Sequence, residues 1–167
     1  MNVLFMARLY WPHIGGVEKH VYEIGQKLKL KGHNLTIVAE RHDPRLLEFE
    51  VHEGVKIWRI PLPEGVGEST KKWFIWKWWL GHLDLFTRAE IIHIHDVFFW
   101  FWPFRLPYWF KKVYITFHGY EGGVPSWKQI FWHRLAAFLT SGNICIGDFH
   151  RKWYGVIPTF VSYGAVA

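Results

Sequence analysis

The chain alternates short apolar runs with longer stretches in which apolar residues recur every three or four positions. Asn2–Ala7 is almost continuously apolar, as expected of a strand covered on both faces. Val17, Val21, Ile24 and Leu28 then share one face of a predicted helix over Val17–Lys31, with Lys19, Lys27, Lys29 and Lys31 turned away and Gly32 ending it. Further strands are predicted at Leu35–Ala39, Val55–Ile60, Ile91–His95, Val113–Phe117, Asn143–Ile146 and around Phe160–Tyr163. Helices are predicted at Thr70–Phe86, at Trp127–Leu139 behind the N-cap Ser126, and briefly at Asp148–Tyr154. Arg41–Glu53 and Gly65–Ser69 read as loops, and Pro61 and Pro63 stop the strand before the second of them. Apolar strands alternating with helices predict an α/β fold whose mainly parallel sheet is covered on both faces. Such sheets take ligands beyond the carboxyl ends of their strands.

Four of those strand ends carry glycine or polar side chains. Pro12-His13-Ile14-Gly15-Gly16-Val17-Glu18 links the first strand to its helix, and His95-Asp96, His118-Gly119 and Gly147-Asp148 follow three later strands. Two glycines before a helix let a ligand approach the backbone, where free N–H groups and the positive end of the helix dipole favour an anion such as phosphate. Plain turn geometry is the alternative for the pair alone. No G-x-G-x-x-G stands there, and Glu18-Lys19-His20 does not supply the G-K-[ST] of a Walker loop, which disfavours an NAD enzyme or P-loop ATPase. His93 and His95 lie on one strand face, but no carboxylate or cysteine cluster surrounds them, so no metal is expected. No G-x-S-x-G elbow is present for a Ser-His-Asp hydrolase.

With 167 residues, half of them hydrophobic, the chain suits one domain with a sizeable core. Its single cysteine, Cys145, lies in an apolar run and reads as a small buried hydrophobe. The net charge of +6 suits an anionic partner. Scattered basic residues without a recognition motif argue against nucleic acid. Met1–Phe5 lacks the basic start of a signal peptide, and the longest apolar run, Val97–Phe104, is far too short to span a bilayer. The expected placement is cytoplasmic, with a peripheral position on the cytoplasmic membrane face open. Twelve tryptophans change the picture further. On a helical wheel Trp73, Ile75, Trp76, Trp79, Leu80, Leu83 and Phe86 form a core arc, while Phe74, Trp78 and Leu85 form a second stripe flanked by Lys71 and Lys77. Trp78, with Trp100 and Trp102 of the aromatic segment Val97–Arg105, is a candidate membrane or acceptor surface. Sugar stacking and plain core packing are the alternatives.

Pro12-x-x-Gly15-Gly16-Val17-Glu18, Gly32-His33-Asn34-Leu35-Thr36-Ile37-Val38, His93-Ile94-His95 and Thr116-Phe117-His118-Gly119 together resemble, in order and spacing, the N-terminal half of retaining glycosyltransferases of family four. The resemblance spans essentially the whole chain. It implies a Rossmann-like three-layer sandwich over residues 1–167, the acceptor-side lobe of a GT-B architecture. The nucleotide-sugar-binding C-terminal domain of such enzymes is missing from the chain. By that resemblance Gly15 and Gly16 would bind the donor diphosphate and His118 would be the catalytic residue beside the transferred sugar. Glu18, His20, His95, Asp96 and Gly119 would contribute to acceptor or sugar binding. Beyond the nucleotide sugar as co-substrate, no cofactor is implied; a sugar or lipid-linked acceptor is. The family carries a serine near Gly147 and Pro-Asn-Gly where this chain has Ser162-Tyr163-Gly164. The expected function is transfer of a sugar to a hydroxyl, with the lobe inactive alone. The rivals are a non-catalytic sugar- or lipid-binding protein completed by a partner chain, and a small phosphate-binding enzyme complete in itself.

Overall fold

A computed structural model describes residues 1–119 and 124–163. Its elements, in chain order, are β1 (Asn2–Ala7), α1 (Gly16–Leu30), β2 (Asn34–Glu40), β3 (Phe49–His52), β4 (Val55–Ile60), α2 (Glu68–Leu80), α3 (Leu83–Arg88), β5 (Ile91–His95), α4 (Phe98–Phe101), β6 (Lys112–Phe117), α5 (Trp127–Leu139), β7 (Gly142–Ile146) and β8 (Phe160–Ser162). A 3₁₀ turn follows α4 at Trp102–Phe104, and a π-helical turn spans His150–Tyr154. The strands form one sheet in the order β3-β4-β2-β1-β5-β6-β7-β8, parallel throughout except for β3. The predicted Rossmann-like sandwich is the observed fold.

Strand parity builds its two cores. Val3, Phe5 and Ala7 of β1 share one face with Leu35, Ile37, Val55 and Ile57, and Val21 of α1 covers them. Leu4 and Met6 share the opposite face with Val38, Ile60, Ile92, Ile94, Val113 and Ile115, beneath α2 to α5. Gly25 lets α1 lie close on the sheet, since a Cβ there would come within 2.7 Å of a Leu35 methyl carbon. Chain order runs outward from β1 to β2 and β4, then restarts at β5 on the other side of β1 and runs on to β8. The β1–β5 boundary is therefore the topological switch point, where such sheets open a crevice at their carboxyl ends.

Several expectations are corrected. Arg41–Glu53 is not all loop: Phe49–His52 pairs antiparallel with β4, and Glu53-Gly54, both at positive φ, close a two-residue hairpin. Glu-Gly between two alternating runs carried that signal. The single helix expected over Thr70–Phe86 is two, broken at Gly81-His82, where His82 Nδ1 lies 2.8 Å from the Trp78 carbonyl oxygen. Trp73 and Leu80, assigned to the core arc, are exposed. Trp78 is half-buried, stacked on His82 at 3.8 Å and edge-on to Trp58, so its second face has an internal partner. Trp100 is fully buried, as are Phe98, Phe101 and Phe104 within the same core, so it belongs to no surface. Only Trp102 of the three surface candidates is exposed.

Candidate functional site

The site begins with alternation along β5 and β6. Ile92 and Ile94 point into the core beneath α2 to α5, which sends His93 and His95 to the α1 face. There both rings pack edge-on against Phe5, at 5.2 and 5.0 Å. Val113, Ile115 and Phe117 do the same for β6, sending Thr116 and His118 to the α1 face. From α1, His20 reaches the same spot. Its ring meets that of His118 edge-on at 4.7 Å, and His95 Nδ1 lies 2.8 Å from His118 Nε2. His93 stacks on His95 at 4.4 Å and shares a 2.7 Å hydrogen bond with the Thr116 hydroxyl. Four imidazoles thus gather at the switch point. Gly16, the first residue of α1, stands one helical turn ahead of His20 on the same face.

The chemistry of that cluster is set by burial. Burial first, and then the neighbouring imidazoles, push His93 down to about 4 and His118 down to about 3, and hold His95 far below its usual range. His20 is lowered by burial as well, partly offset by Glu23. Near neutral pH these rings are uncharged hydrogen-bonding groups. His95 Nε2 is buried without a partner, and an orphaned buried N–H costs more than an orphaned lone pair. The proton of His95 therefore belongs on Nδ1, donated to His118 Nε2, which leaves His118 with an Nδ1–H to offer a ligand oxygen.

Asp96 fixes the rim. It sits at φ 61, a left-handed conformation that costs about 1–3 kcal/mol in a residue with a side chain. Its N–H donates to the Thr116 carbonyl, and its carboxylate accepts the His118 N–H at 3.0 Å. The ends of β5 and β6 are thereby tied together with His118 held at the edge. Asp96 also lines a cavity of about 270 Å³ on the other face of the sheet, walled by Trp76, Phe98, Phe99, Trp102 and Trp132. Among the described residues a Cβ on Gly16 or Gly119 would meet nothing within 4 Å, so their packing does not require glycine there. The open space in front of Gly16 is room for a ligand.

The structure thus gathers His20, His95, Asp96 and His118, with Gly119 next in the chain, and aligns Gly16 with them. Glu18 makes its contacts elsewhere: its carboxylate closes over Gly15, where a Cβ would lie 2.3 Å from Oε2, and lies 3.6 Å from His13 Nδ1. With Tyr10, Trp11 and Tyr22 it lines a second cavity of about 240 Å³. Among the described residues no group of three or more His, Cys, Asp or Glu has the geometry to hold a metal ion. Thr116, Arg59 and the aromatic wall at Trp132 escaped sequence reading, although strand parity alone puts Thr116 beside His93. The familial Pro-Asn-Gly position ends at Gly164, outside the described residues.

A parallel sheet with a glycine-opened helix and imidazoles at its switch point defines a Rossmann-like lobe. The sequence profile of Glycosyltransferase Family 4 matches residues 14–155, and the chain belongs to that family. It is 29% identical over 98 residues to a human phosphatidylinositol N-acetylglucosaminyltransferase subunit, with the match covering 58% of this chain and 20% of that one. With the yeast (Saccharomyces cerevisiae) phosphatidylinositol N-acetylglucosaminyltransferase GPI3 subunit it shares 30% over 60 residues, covering 36% and 13%. In fold it resembles sucrose-phosphate synthase from Thermosynechococcus elongatus, with TM-score 0.71, 11% identity and coverage of 96% and 47%. A glycosyltransferase from Rickettsia africae gives TM-score 0.62, 15% identity and coverage of 96% and 41%. The chain therefore matches about a fifth or less of the length of these curated relatives and less than half of these solved structures.

The lowered histidines make stability pH-dependent with a definite sign. Unfolded, each imidazole takes a proton below about 6.5, whereas folded His93 and His118 stay neutral down to about 4 and about 3. Between those values the unfolded chain binds more protons, so stability rises with pH. The contribution is complete above about 6.5 and is lost as pH falls towards 4 and 3. Each group adds a slope of up to about 1.4 kcal/mol per pH unit. Urea unfolding at about pH 5 should give a stability at least about 2 kcal/mol below that at about pH 7.5. Equal stabilities at the two would mean that the cluster is hydrated.

Proposed function

We propose that this chain is the acceptor-side lobe of a retaining glycosyltransferase that moves a sugar from a nucleotide-sugar donor to a hydroxyl acceptor. The observation that carries the reading is the uncharged imidazole cluster at the switch point, in line with the open N-terminus of α1. In the proposed reaction the acceptor hydroxyl attacks the anomeric carbon on the face from which the diphosphate departs. The carbon–oxygen bond to phosphate breaks, the bond to the acceptor oxygen forms, and the acceptor proton passes to the departing phosphate. Backbone N–H groups at Gly16 and, once the Glu18 carboxylate swings off it, at Gly15 stabilise the charge growing on that phosphate. His118, neutral and oriented by His95 and Asp96, donates its Nδ1–H to a sugar oxygen. The donor is shared with a nucleotide-binding lobe outside this chain, and no metal or further cofactor takes part. The acceptor is lipid-linked, with its apolar part in the aromatic cavity and its hydroxyl towards Asp96. The enzyme works at the cytoplasmic face of a membrane. Two relatives whose names call them subunits support a chain that works with a partner polypeptide. A non-catalytic lipid- or sugar-binding role beside such a partner is the second reading, favoured by the same names.

Energetics sets the test. A helix N-terminus contributes about 0.3–1 kcal/mol to an anion, about 2 at best, whereas micromolar affinity requires about 8 kcal/mol. Calorimetry with nucleoside-diphosphate sugars should find binding to this chain alone weaker than about 1 mM. Supplying the nucleotide-binding lobe should bring it to the micromolar range together with transfer. Micromolar binding to the chain alone would overturn the division of labour; a completed enzyme without transfer would favour the non-catalytic reading.

A further inference from the structure

The outer face of α5 carries large side chains that are exposed among the described residues. Trp127, Phe131 and Phe138 lie on one line along the helix, 73%, 53% and 83% exposed. At the end of α5, Arg105 joins this line to a second exposed group. Its Nε donates to the Leu139 carbonyl at 2.6 Å and its Nη1 to the Trp109 carbonyl at 2.9 Å, and Trp109 and Phe110 are exposed as well. Lys128 stands beside the rings, 5.7 Å from the Trp127 ring centre; Lys111 lies 5.6 Å from that of Phe110, with its ammonium donating to the Thr87 and Ala89 carbonyls. Residues 97–167 hold seven lysines and arginines against two acidic side chains, which is five of the chain's six net positive charges.

We propose that this face, from Trp127 along α5 to Trp109-Phe110, docks on a bilayer surface containing anionic lipid. Exposed indole and phenyl rings with lysines beside them suit the headgroup boundary, where rings bury and cations meet lipid phosphate. A lobe closing on the switch point meets the carboxyl edge of the sheet. The patch starts near that edge with Trp127 but extends the length of α5 to the amino edge, where Trp109-Phe110 lead into the first residues of β6. A second copy would bring together two chain halves that each carry five net positive charges, which charge disfavours. Among the described residues no helix is long and apolar enough to cross a membrane. The inference rests on the lipid-linked acceptor of the proposed function and gives it a direction. Trp132 of α5 meets Trp102 edge-on at 5.8 Å, and both line the aromatic cavity that holds Asp96. A lipid-borne hydroxyl drawn from the bilayer reaches the rim through that wall.

Vesicle flotation of the 167-residue chain at low salt tests the inference without any donor or transfer, so its failure is separable from failure of the transferase reading. The chain should float with vesicles of phosphatidylcholine and phosphatidylserine and much less with phosphatidylcholine alone. Phe131→Glu with Phe138→Glu should lower partitioning at least about tenfold, and Trp127→Ser alone should lower it measurably. Leu30→Glu, at an exposed leucine of α1, should leave it unchanged. Far-UV circular dichroism and urea midpoints establish that the variants are folded. A wild-type chain that floats with neither vesicle, or a double variant that floats as well as wild type, would overturn the proposal. So would a wild-type dimer that the double variant dissolves without vesicle binding in either.

Discussion

Replacing His118 by alanine should lower sugar transfer by the completed enzyme about 100- to 1000-fold in kcat, the range for losing one preorganised donor in a water-excluded site. The loss should fall on kcat more than on KM if the Nδ1–H bonds most strongly to the sugar as charge develops. The variant also strands the Nδ1–H of His95, whose other nitrogen is already without a partner. Folding stability should therefore fall by about 1–3 kcal/mol, well short of the roughly 5–15 kcal/mol typical of a domain. His118→Asn keeps a short amide donor and should retain more activity than alanine. Asp96→Asn should act through His118, because the carboxylate touches its N–H and not its ring. Its effect on kcat should be smaller, and it should vanish in the His118→Ala background. Transfer by His118→Ala within about threefold of wild type would mean that the imidazole only packs.

Most of the fold was legible because burial on both faces writes itself as unbroken apolar runs. β1 falls at its predicted position for that reason, while β4, β5 and β6 keep enough apolar residues around Lys56, Arg59, His93, His95 and Thr116 to be read within a residue of their bounds. β3 escaped because Phe49 and Val51 face outward on an edge strand and leave no apolar run to read. The tryptophans misled because amphipathic analysis assumes one buried face. α2 is gripped between α4 on one side and the Trp58–His82 pair on the other, so Trp78 is covered while Trp73 is not. At the site, strand-end positions and the glycine pair were enough to pick out His95, Asp96 and His118. That Glu18 turns away from them depends on helix phase: it lies about 100° from Val17, on the flank opposite His20. The exposed face of α5 left a sequence signal, Trp127, Phe131 and Phe138 at helical spacing. That same spacing describes a core stripe equally well, and only packing separates the two.

Arg59 also shows what strand parity could have revealed, since it stands on the α1 face of β4 in line with Val55 and Ile57. It is 1% exposed. Its guanidinium pairs with Glu50 and donates to the Leu47 carbonyl at 2.9 Å and the Trp11 carbonyl at 2.8 Å. One buried cation thus ties the β3–β4 hairpin to the residue from which the Pro12–Gly16 loop departs. Arg59→Ala leaves two carbonyls and a half-buried carboxylate without their donor. Breaking a buried pair in this way typically costs about 3–5 kcal/mol. Glu50 is 29% exposed on its side chain and can regain water, which places the expected loss near the lower end, about 3 kcal/mol. Arg59→Lys keeps the charge, but a single ammonium cannot reproduce a planar fork that reaches three acceptors, so it should recover only part of the loss. In the completed enzyme both variants should raise the donor KM more than they lower kcat, because the glycine loop loses its anchor while His118 keeps its own. Urea unfolding and steady-state transfer measure the two halves separately. An alanine variant with an unmoved unfolding midpoint would mean that the guanidinium is not buried where its contacts place it, and an unchanged donor KM would cut the link from β4 to the glycine loop.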